Sequence, residues 1–205
     1  MKNPVTTVSS LVVVIMCSLF TSGCAFGTRQ AKITYPPTSS QSEKAGLITA
    51  PVGSQGEIVL QQFSDDRADK AIVGHVRNGY GMKTAKVVGQ PDLTDVVNQA
   101  VRAELIRAGY VVQDAGAAIS TNMPVISGAL VKLYCDAYMS YEGSASLYVR
   151  ITRDGKEILR KTYEGEGSAG MNWAMTGTSY GLSLSLAIQD TLEKLKRDLP
   201  AALKQ

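Results

Sequence analysis

The sequence predicts an α+β fold, in which a mostly antiparallel sheet carries two helices packed on one face. Residues 92–108 and 179–198 repeat apolar side chains every three or four positions, as one-sided helices do. Residues 124–168 are rich in β-forming side chains and contain Asp154-Gly155, a strong hairpin signal. The composition, 44% hydrophobic and 19% charged, is ordinary for a single globular domain.

The N-terminus has the three parts of an export signal. Lys2 is followed by an apolar run at residues 11–20 and by small residues before Cys24. This run is too short to cross a bilayer core of roughly 30 Å comfortably. Ser22-Gly23-Cys24 resembles the lipobox of bacterial lipoproteins, with Thr21 where leucine is commonest. We interpret residues 1–23 as a cleaved lipoprotein signal peptide; the alternative is an ordinary signal peptide with a chance cysteine.

The lipobox resemblance makes Cys24 the lipid-attachment residue and the membrane the first expected partner. Bacterial lipoproteins resemble one another in carrying two or three acyl chains, such as palmitate, on this cysteine. One chain alone would hold only marginally. Ala25 follows Cys24, where Asp would retain a well-studied lipoprotein at the inner membrane. The resemblance therefore implies the outer membrane, with the domain facing the periplasm.

Residues 24–55 are predicted to be a lipidated flexible tether, and residues 56–205 a single α+β periplasmic domain. The tether is rich in Ser, Thr, Gln, Gly and Pro, and Pro36 and Pro37 favour an extended backbone. Fully extended, it would reach about 100 Å, and as a flexible coil about 30 Å. We therefore expect the domain to stand off the membrane.

The domain begins with short predicted strands. Residues 57–63 form the first, and a polar loop at residues 64–70 follows it. Residues 72–77 and 84–88 form two more strands. The residues between them, Asn78-Gly79-Tyr80-Gly81, favour the positive φ angles of a turn.

The first predicted helix covers residues 92–108. Pro91 and Asp92 mark its start, and Gly109 stands just past its end. The apolar stripe consists of Leu93, Val96, Val97, Ala100, Val101, Leu105 and Ala108. The rest of the helix is polar and holds Asp95, Gln99, Arg102, Glu104 and Arg107, of which Arg102 is expected to be exposed. Residues 110–113 are predicted to return as a strand.

Three long strands and a second helix complete the predicted domain. The strands cover residues 125–138, 145–153 and 157–167, and the register of this meander is left open. The helix covers residues 179–198, and Pro200 is expected to stop it. Its apolar stripe consists of Leu184, Ala187, Ile188, Thr191, Leu192, Leu195 and Leu199.

Few residues suggest cofactor or nucleic-acid chemistry, and the sequence predicts no cofactor. His75 is the single histidine, and no Cys/His set has zinc spacing. Cys17 leaves with the signal and Cys24 is blocked by lipid, so Cys135 has no disulfide partner and is expected to be a buried apolar residue. The net charge of +3 without a Lys/Arg run predicts no nucleic-acid partner.

Two catalytic arrangements come nearest to a known pattern. Ser168 has Gly170 two residues later, as in a nucleophile elbow, but Glu166 stands where that motif needs a glycine. Glu164 and Glu166 share one strand face, as paired acids do. Neither arrangement meets its motif, and we predict that the domain is not an enzyme.

Partner contacts are predicted at two places. The polar loop holds Asp65, Asp66 and Arg67, which would otherwise form a solvated turn with Asp66 near Arg67. Trp173 lies in a loop rich in glycine and methionine, which either presents a contact surface or packs beneath the second helix. Three aspartates, at 65, 66 and 69, could bind a cation only weakly, because the Ca²⁺-loop pattern is missing.

The order of these features resembles the YajG-like family of bacterial envelope lipoproteins. The resemblance rests on Phe63-Ser64-Asp65-Asp66-Arg67, on the helix that begins Asp92-Leu93-Thr94-Asp95, and on Glu104 to Tyr110 with Gly109. It covers roughly residues 55–200. It implies the location and the fold, and it carries no catalytic residue onto this chain.

Three functional hypotheses follow. The leading one is a non-enzymatic accessory or binding module that contacts another envelope protein or polymer. The alternative is a lipid- or substrate-handling auxiliary subunit of an envelope transport system, which predicts a sizeable apolar groove between helix and sheet. The third is a hydrolase that uses Ser168 or the pair Glu164 and Glu166, which predicts those side chains converging in a cleft with a base.

Overall fold

The computed structural model describes residues 27–37, 55–116, 122–170 and 176–204, and these form nine strands and two helices. In chain order the elements are β1 (Gly27–Lys32), β2 (Gly56–Leu60), β3 (Ser64–Asp65), β4 (Gly74–Arg77), β5 (Lys83–Gln90), α1 (Leu93–Arg107), β6 (Tyr110–Asp114), β7 (Val125–Ala137), β8 (Tyr141–Arg153), β9 (Lys156–Ser168) and α2 (Gly177–Leu203). The signal peptide, Cys24 and Trp173 lie outside the described residues. Within those residues, neither helix is long and apolar enough to span a bilayer.

Strand β7 is the centre of the sheet. One of its edges pairs antiparallel with β8 from end to end. Its other edge pairs in succession with three short parallel strands: β2 opposite Val125, β3 opposite Ala129 and β4 opposite Cys135. The chain from β2 to β4 therefore runs along β7 as three separate pieces in line.

The α+β prediction is confirmed, and the sheet is mixed. Strands β7, β8 and β9 form the predicted antiparallel meander. The pairs β1–β5, β2–β6 and those of β7 with β2, β3 and β4 are parallel. Both residues of the Asp154-Gly155 turn have positive φ, 51° and 73°, as the hairpin signal predicts. The predicted polar loop begins with the short β3, which the sequence does not reveal.

The tether prediction is wrong for residues 27–37, which belong to the folded domain. Strand β1 pairs parallel with β5 along all six of its residues. Ala31 and Ile33 are fully buried. The strand forms because a sheet edge and a helix enclose it, although its sequence carries little β preference of its own. Residues 24–26 and 38–54 of the predicted tether lie outside the described ranges.

Helix α1 confirms the predicted amphipathic helix. The Asp92 carboxylate accepts hydrogen bonds from the backbone N–H groups of Thr94 and Asp95, which caps the first turn. The stripe from Leu93 to Leu105 is buried. Glu104 lies outside the predicted apolar stripe, yet it is buried, because its carboxylate turns inward to meet charged and polar partners.

Helix α2 is longer than predicted at both ends. The Thr176 hydroxyl accepts from the N–H of Ser179 and begins the helix. Pro200 does not stop it, because Leu199 and Ala202 on either side are buried against the domain and outweigh one missing N–H. The guanidinium of Arg153 also donates to the carbonyl of Leu203 at 2.9 Å and satisfies the helix end.

The seam between α2 and the meander is built on strand glycines. A Cβ on Gly165 would lie 2.3 Å from the carbonyl oxygen of Ala187. A Cβ on Gly167 would lie 2.3 Å, and one on Gly143 2.5 Å, from the carbonyl oxygen of Ser183. Because these strands carry no side chain there, the helix backbone rests directly on the sheet backbone. The two layers are therefore closely packed along this seam.

The same helix covers the free edge of β1. A Cβ on Gly177 would meet the carbonyl of Gln30, and one on Gly181 the carbonyl of Lys32. Strands β1 and β9 lie on opposite sides of β7 in the sheet order, yet both contact α2. The sheet thus curves around this helix, and the edge strand β1 is protected from pairing with another chain.

Candidate functional site

Arg67 is buried, 6% exposed, and holds the polar loop together. Its guanidinium donates twice to the carboxylate of Asp65, at 3.0 and 2.9 Å. It also donates to the carbonyls of Ile72 at 3.1 Å and Lys70 at 3.0 Å. The expected proximity of Asp66 to Arg67 is replaced by this bidentate pair with Asp65. Arg67 was predicted as a partner contact, but its side chain offers little surface to a partner.

The pair with Arg67 also fixes the charge of Asp65. Partial burial alone would raise the pKa of this carboxyl group. The hydrogen bonds from the side chain and backbone of Arg67 outweigh burial and hold the pKa of Asp65 below its usual value. The loop therefore keeps its ion pair at neutral pH.

This loop forms one wall of an open cleft of about 1000 Å³, which we call the Arg67 cleft. Strand β1, the end of β5 and the start of α1 form the other walls. The lining residues are Gln30, Lys32, Asp65, Arg67, Lys70, Ala71, Gly89, Gln90, Pro91, Asp92, Leu93 and Thr94. The side chains of Gln30, Lys32, Lys70 and Gln90 are exposed. The cleft therefore presents amides and ammonium groups on a fixed wall.

The three aspartates of the loop do not form a metal site. Asp65 is paired with Arg67, and the carboxylate of Asp69 accepts from the N–H of Ala71 at 2.9 Å. Across the ranges that the structure describes, no group of three or more His, Cys, Asp or Glu side chains is placed to hold a metal ion. These acids shape the loop.

A second surface lies at one end of the sheet. The turn between β4 and β5, residues 78–82, and the turn between β7 and β8, residues 138–140, project side by side because β4 pairs with β7. We call these two turns the hairpin end. Its large apolar side chains are exposed: 89% for Tyr80, 59% for Met82 and 69% for Met139.

The two turns of the hairpin end are fixed to each other. The hydroxyl of Tyr138 donates to the carbonyl of Gly79 at 3.1 Å. Arg77 donates to both oxygens of Asp136, at 2.7 and 3.0 Å, and to the carbonyl of Gly81 at 2.8 Å. These hydrogen bonds fix the backbone that carries the exposed apolar side chains. An exposed apolar patch of this kind typically marks an interaction site.

The sequence does not single out the hairpin end, although it carries a signal. Gly79-Tyr80-Gly81-Met82 and Tyr138-Met139 place large apolar side chains in turns, where polar residues are usual. Residues 78–82 and 138–140 are far apart in the chain, and only the pairing of β4 with β7 brings them together.

The residues considered for catalysis do not converge. The Nδ1 atom of His75 lies 2.9 Å from the hydroxyl of Tyr134. Partial burial and the nearby Lys83 hold the pKa of His75 below its usual value. The exposed hydroxyl of Ser168 donates to Glu142 at 3.3 Å, so its neighbour is a carboxylate and not the histidine.

Two other reactive groups are also accounted for. Cys135 is fully buried, as predicted, and burial raises the pKa of its thiol to about 11 even though Ser183 donates to the sulfur at 3.1 Å. Glu164 and Glu166 are exposed on β9, opposite Ser146 and Ser144. They stand on an open strand face and not in a cleft.

The groove that the transport alternative predicts is not found between the helices and the sheet in the described part of the chain. The strand glycines bring α2 onto the sheet backbone. Between α1 and α2, a pocket lined by Leu105, Leu192 and Leu195 holds only about 10 Å³. That volume is about one water molecule and has no room for an acyl chain.

Comparison with known proteins shows the fold. No family model and no curated protein matches this chain. Protein XCC0632 from Xanthomonas campestris, of family DUF330, has a TM-score of 0.57 at 11% identity, over 87% of this chain and 97% of that one. At this identity the likeness shows a shared fold alone.

Two more distant structures also match. Hypothetical protein CT253 from Chlamydia trachomatis has a TM-score of 0.46 at 11% identity, over 72% of this chain and 99% of its own. Lipoprotein GNA1162 from Neisseria meningitidis has a TM-score of 0.35 at 13% identity, over 73% of this chain and 98% of its own. Membership of the YajG-like family stays a prediction.

Proposed function

We propose that this chain is a bacterial lipoprotein, held at the outer membrane by lipid on Cys24, whose periplasm-facing domain is a non-enzymatic binding module for another envelope protein or polymer. The observation that carries the binding role is the Arg67 cleft. Its volume of about 1000 Å³ is at the upper end of the usual range for ligand sites.

The groups inside the cleft favour binding over catalysis. The guanidinium of Arg67 already donates hydrogen bonds to Asp65 and to two carbonyls. The carboxylate of Asp92 already caps α1. These charges hold the walls in place. The exposed amides and ammonium groups of the rim donate and accept hydrogen bonds, which suits a polar polymer segment or a protein loop.

The anchor is tested with Cys24→Ala. Wild-type protein is expected to carry acyl chains in intact mass spectra and to fractionate with membranes. The variant is expected to lack the acyl mass and to appear in the soluble periplasmic fraction. A variant that stays wholly with the membrane, or a wild type without acyl mass, would contradict the anchor.

The binding role is tested by placing a photo-crosslinking amino acid in the cleft. Gln90 is the test position, and the exposed Lys156, the first residue of β9 after the β8–β9 turn, is the control. In intact cells we expect a discrete adduct from position 90 that contains one envelope protein or polymer. The same adducts from both positions, or none from position 90, would remove the cleft as the binding site.

A further inference from the structure

The chain enters the described fold at the hairpin end. Gly27, the first residue of β1, is the partner of Ala85, near the start of β5. Ala85 is also the partner of Val76, and Val76 of Ala137, the last residue of β7. One row across the sheet therefore joins the start of β1 to the bases of both turns of the hairpin end.

This placement limits where the lipid can be. The position of the lipid rests on the proposed function, in which Cys24 is acylated. Cys24 lies three residues before Gly27, and three residues span at most about 11 Å. The lipid is therefore held beside the hairpin end, and the long flexible arm that the sequence suggested does not separate the two.

The side chains of the hairpin end suit a bilayer surface. Tyr80 and Tyr138 are amphipathic, and tyrosine is enriched where the hydrocarbon meets the headgroups. Met82 and Met139 are flexible and apolar, so burying them beneath the headgroups is favourable. The turns are short, which limits them to shallow insertion.

The charges around the two turns suit binding to an anionic membrane surface. Lys83 and Lys86 on β5 are exposed beside the turn at residues 78–82. The carboxylate of Asp136 is already paired with Arg77. Glu142 is an exposed acid on this side, and its carboxylate accepts a hydrogen bond from Ser140. Ammonium groups near the turns would meet phosphate headgroups, which strengthens interfacial binding.

We infer that the hairpin end is a membrane-docking surface, and that its occupant is the phospholipid bilayer that holds the lipid anchor. The acyl chains on Cys24 bring the surface to the membrane, and the apolar side chains of residues 80, 82, 138 and 139 enter the interface. Strands β8 and β9 have thirteen residues each, and the turn that joins them lies at the opposite end of the sheet. This turn then points away from the membrane. This orientation keeps the domain close to the bilayer.

Tryptophan fluorescence tests the docking on the full acylated protein. Trp173→Phe removes the single tryptophan, and a new one is placed by Tyr80→Trp at the hairpin end or by Lys156→Trp at the opposite end. Both proteins are reconstituted into vesicles of phosphatidylethanolamine and phosphatidylglycerol, with and without brominated acyl chains. We expect a blue shift and a loss of emission with bromolipid for Tyr80→Trp, and neither change for Lys156→Trp.

The outcomes separate docking from anchoring. Acylated protein that floats with the vesicles while Tyr80→Trp stays unquenched overturns the docking and leaves the proposed anchor intact. Equal quenching at both positions also overturns it, because the domain would then have no fixed orientation. Protein that carries no acyl mass removes the proposed anchor, and the docking falls with it.

Discussion

The hydroxyl of Tyr35 donates a hydrogen bond of 2.5 Å to Oε1 of Glu104 and ties the segment after β1 to the last turns of α1. Arg107 donates to the same oxygen, and Lys196 of α2 donates to Oε2 at 2.9 Å. One carboxylate, only 8% exposed in its side chain, thus joins three parts of the chain.

This network predicts a pH-dependent stability. Burial alone would raise the pKa of Glu104, but hydrogen bonds from Tyr35, Lys196 and Arg107 outweigh it and lower the pKa. A depressed folded-state pKa stabilises the protein above the unfolded value of about 4.3, and this contribution is lost as the pH falls through the folded value. Glu104→Gln should therefore cost about 1–3 kcal/mol near pH 7. In urea unfolding, the difference from wild type should shrink below about pH 4.

The control for this experiment is Glu193→Gln, which changes an exposed glutamate on α2. It should leave the unfolding midpoint close to that of wild type. A Glu104→Gln difference that stays constant between neutral and acidic pH would show that the carboxylate acts by shape and not by charge.

The bidentate pair predicts that lysine cannot replace Arg67. Arg67→Lys keeps the charge but loses the planar group that bonds Asp65 and two carbonyls together. We expect a loss of about 1–3 kcal/mol in unfolding free energy. Arg160→Lys is the matched control, because Arg160 pairs with Glu157 on an exposed strand face. Equal urea midpoints for the two variants would mean that the loop does not depend on the buried guanidinium.

The orientation of α1 predicts that truncating Leu105 and truncating Arg102, one helical turn apart, differ in their effect on the unfolding free energy. Leu105 is 2% exposed, and Leu105→Ala should cost about 2–5 kcal/mol through lost burial and the cavity left behind. Arg102 is about one third exposed and pairs with the exposed Asp114, so Arg102→Ala should cost under about 1 kcal/mol. Denaturant unfolding of both variants checks this, and similar midpoints would count against the packing of α1.

The glycine seam predicts that a single methyl group destabilises the domain. A Cβ on Gly165 would lie 2.2 Å from Oγ1 of Thr191 and 2.3 Å from the carbonyl of Ala187, so Gly165→Ala must push α2 away from the sheet. We expect a loss of about 1–3 kcal/mol, seen as a lower Tm. Gly79→Ala is the control, because a Cβ there meets nothing within 4 Å. A Gly165→Ala protein with the same Tm as the control would contradict the close packing of α2 on the strand glycines.

Local signals explain which elements the sequence predicted. The stripe, cap and terminal glycine of α1 all lie within that segment, and the Asp154-Gly155 turn is set by two residues. Strand β1 was missed because Gly27–Lys32 is held by its pairing with β5, which no local pattern records. The prediction that Pro200 ends α2 was wrong, because burial of the last turn of the helix outweighed the tendency of proline to end a helix.

The candidate sites were only partly accessible from sequence for the same reason. The loop that holds Asp65 and Arg67 was found by its charge, but the burial of Arg67 depends on carbonyls of later residues that meet it only after folding. The hairpin end depends on the register between β4 and β7, and no spacing in the chain encodes it.

The pairing of β7 also has a kinetic consequence. Each residue of β7 that pairs with β2, β3 or β4 lies more than sixty positions after its partner, so the entropy of closing long loops must be lost before these pairs form. In a chain synthesised from its N-terminus, the edges of β2, β3 and β4 that pair with β7 stay unpaired until β7, which ends at Ala137, has been made. We therefore expect folding to be slow and to start late, when most of the domain is already available.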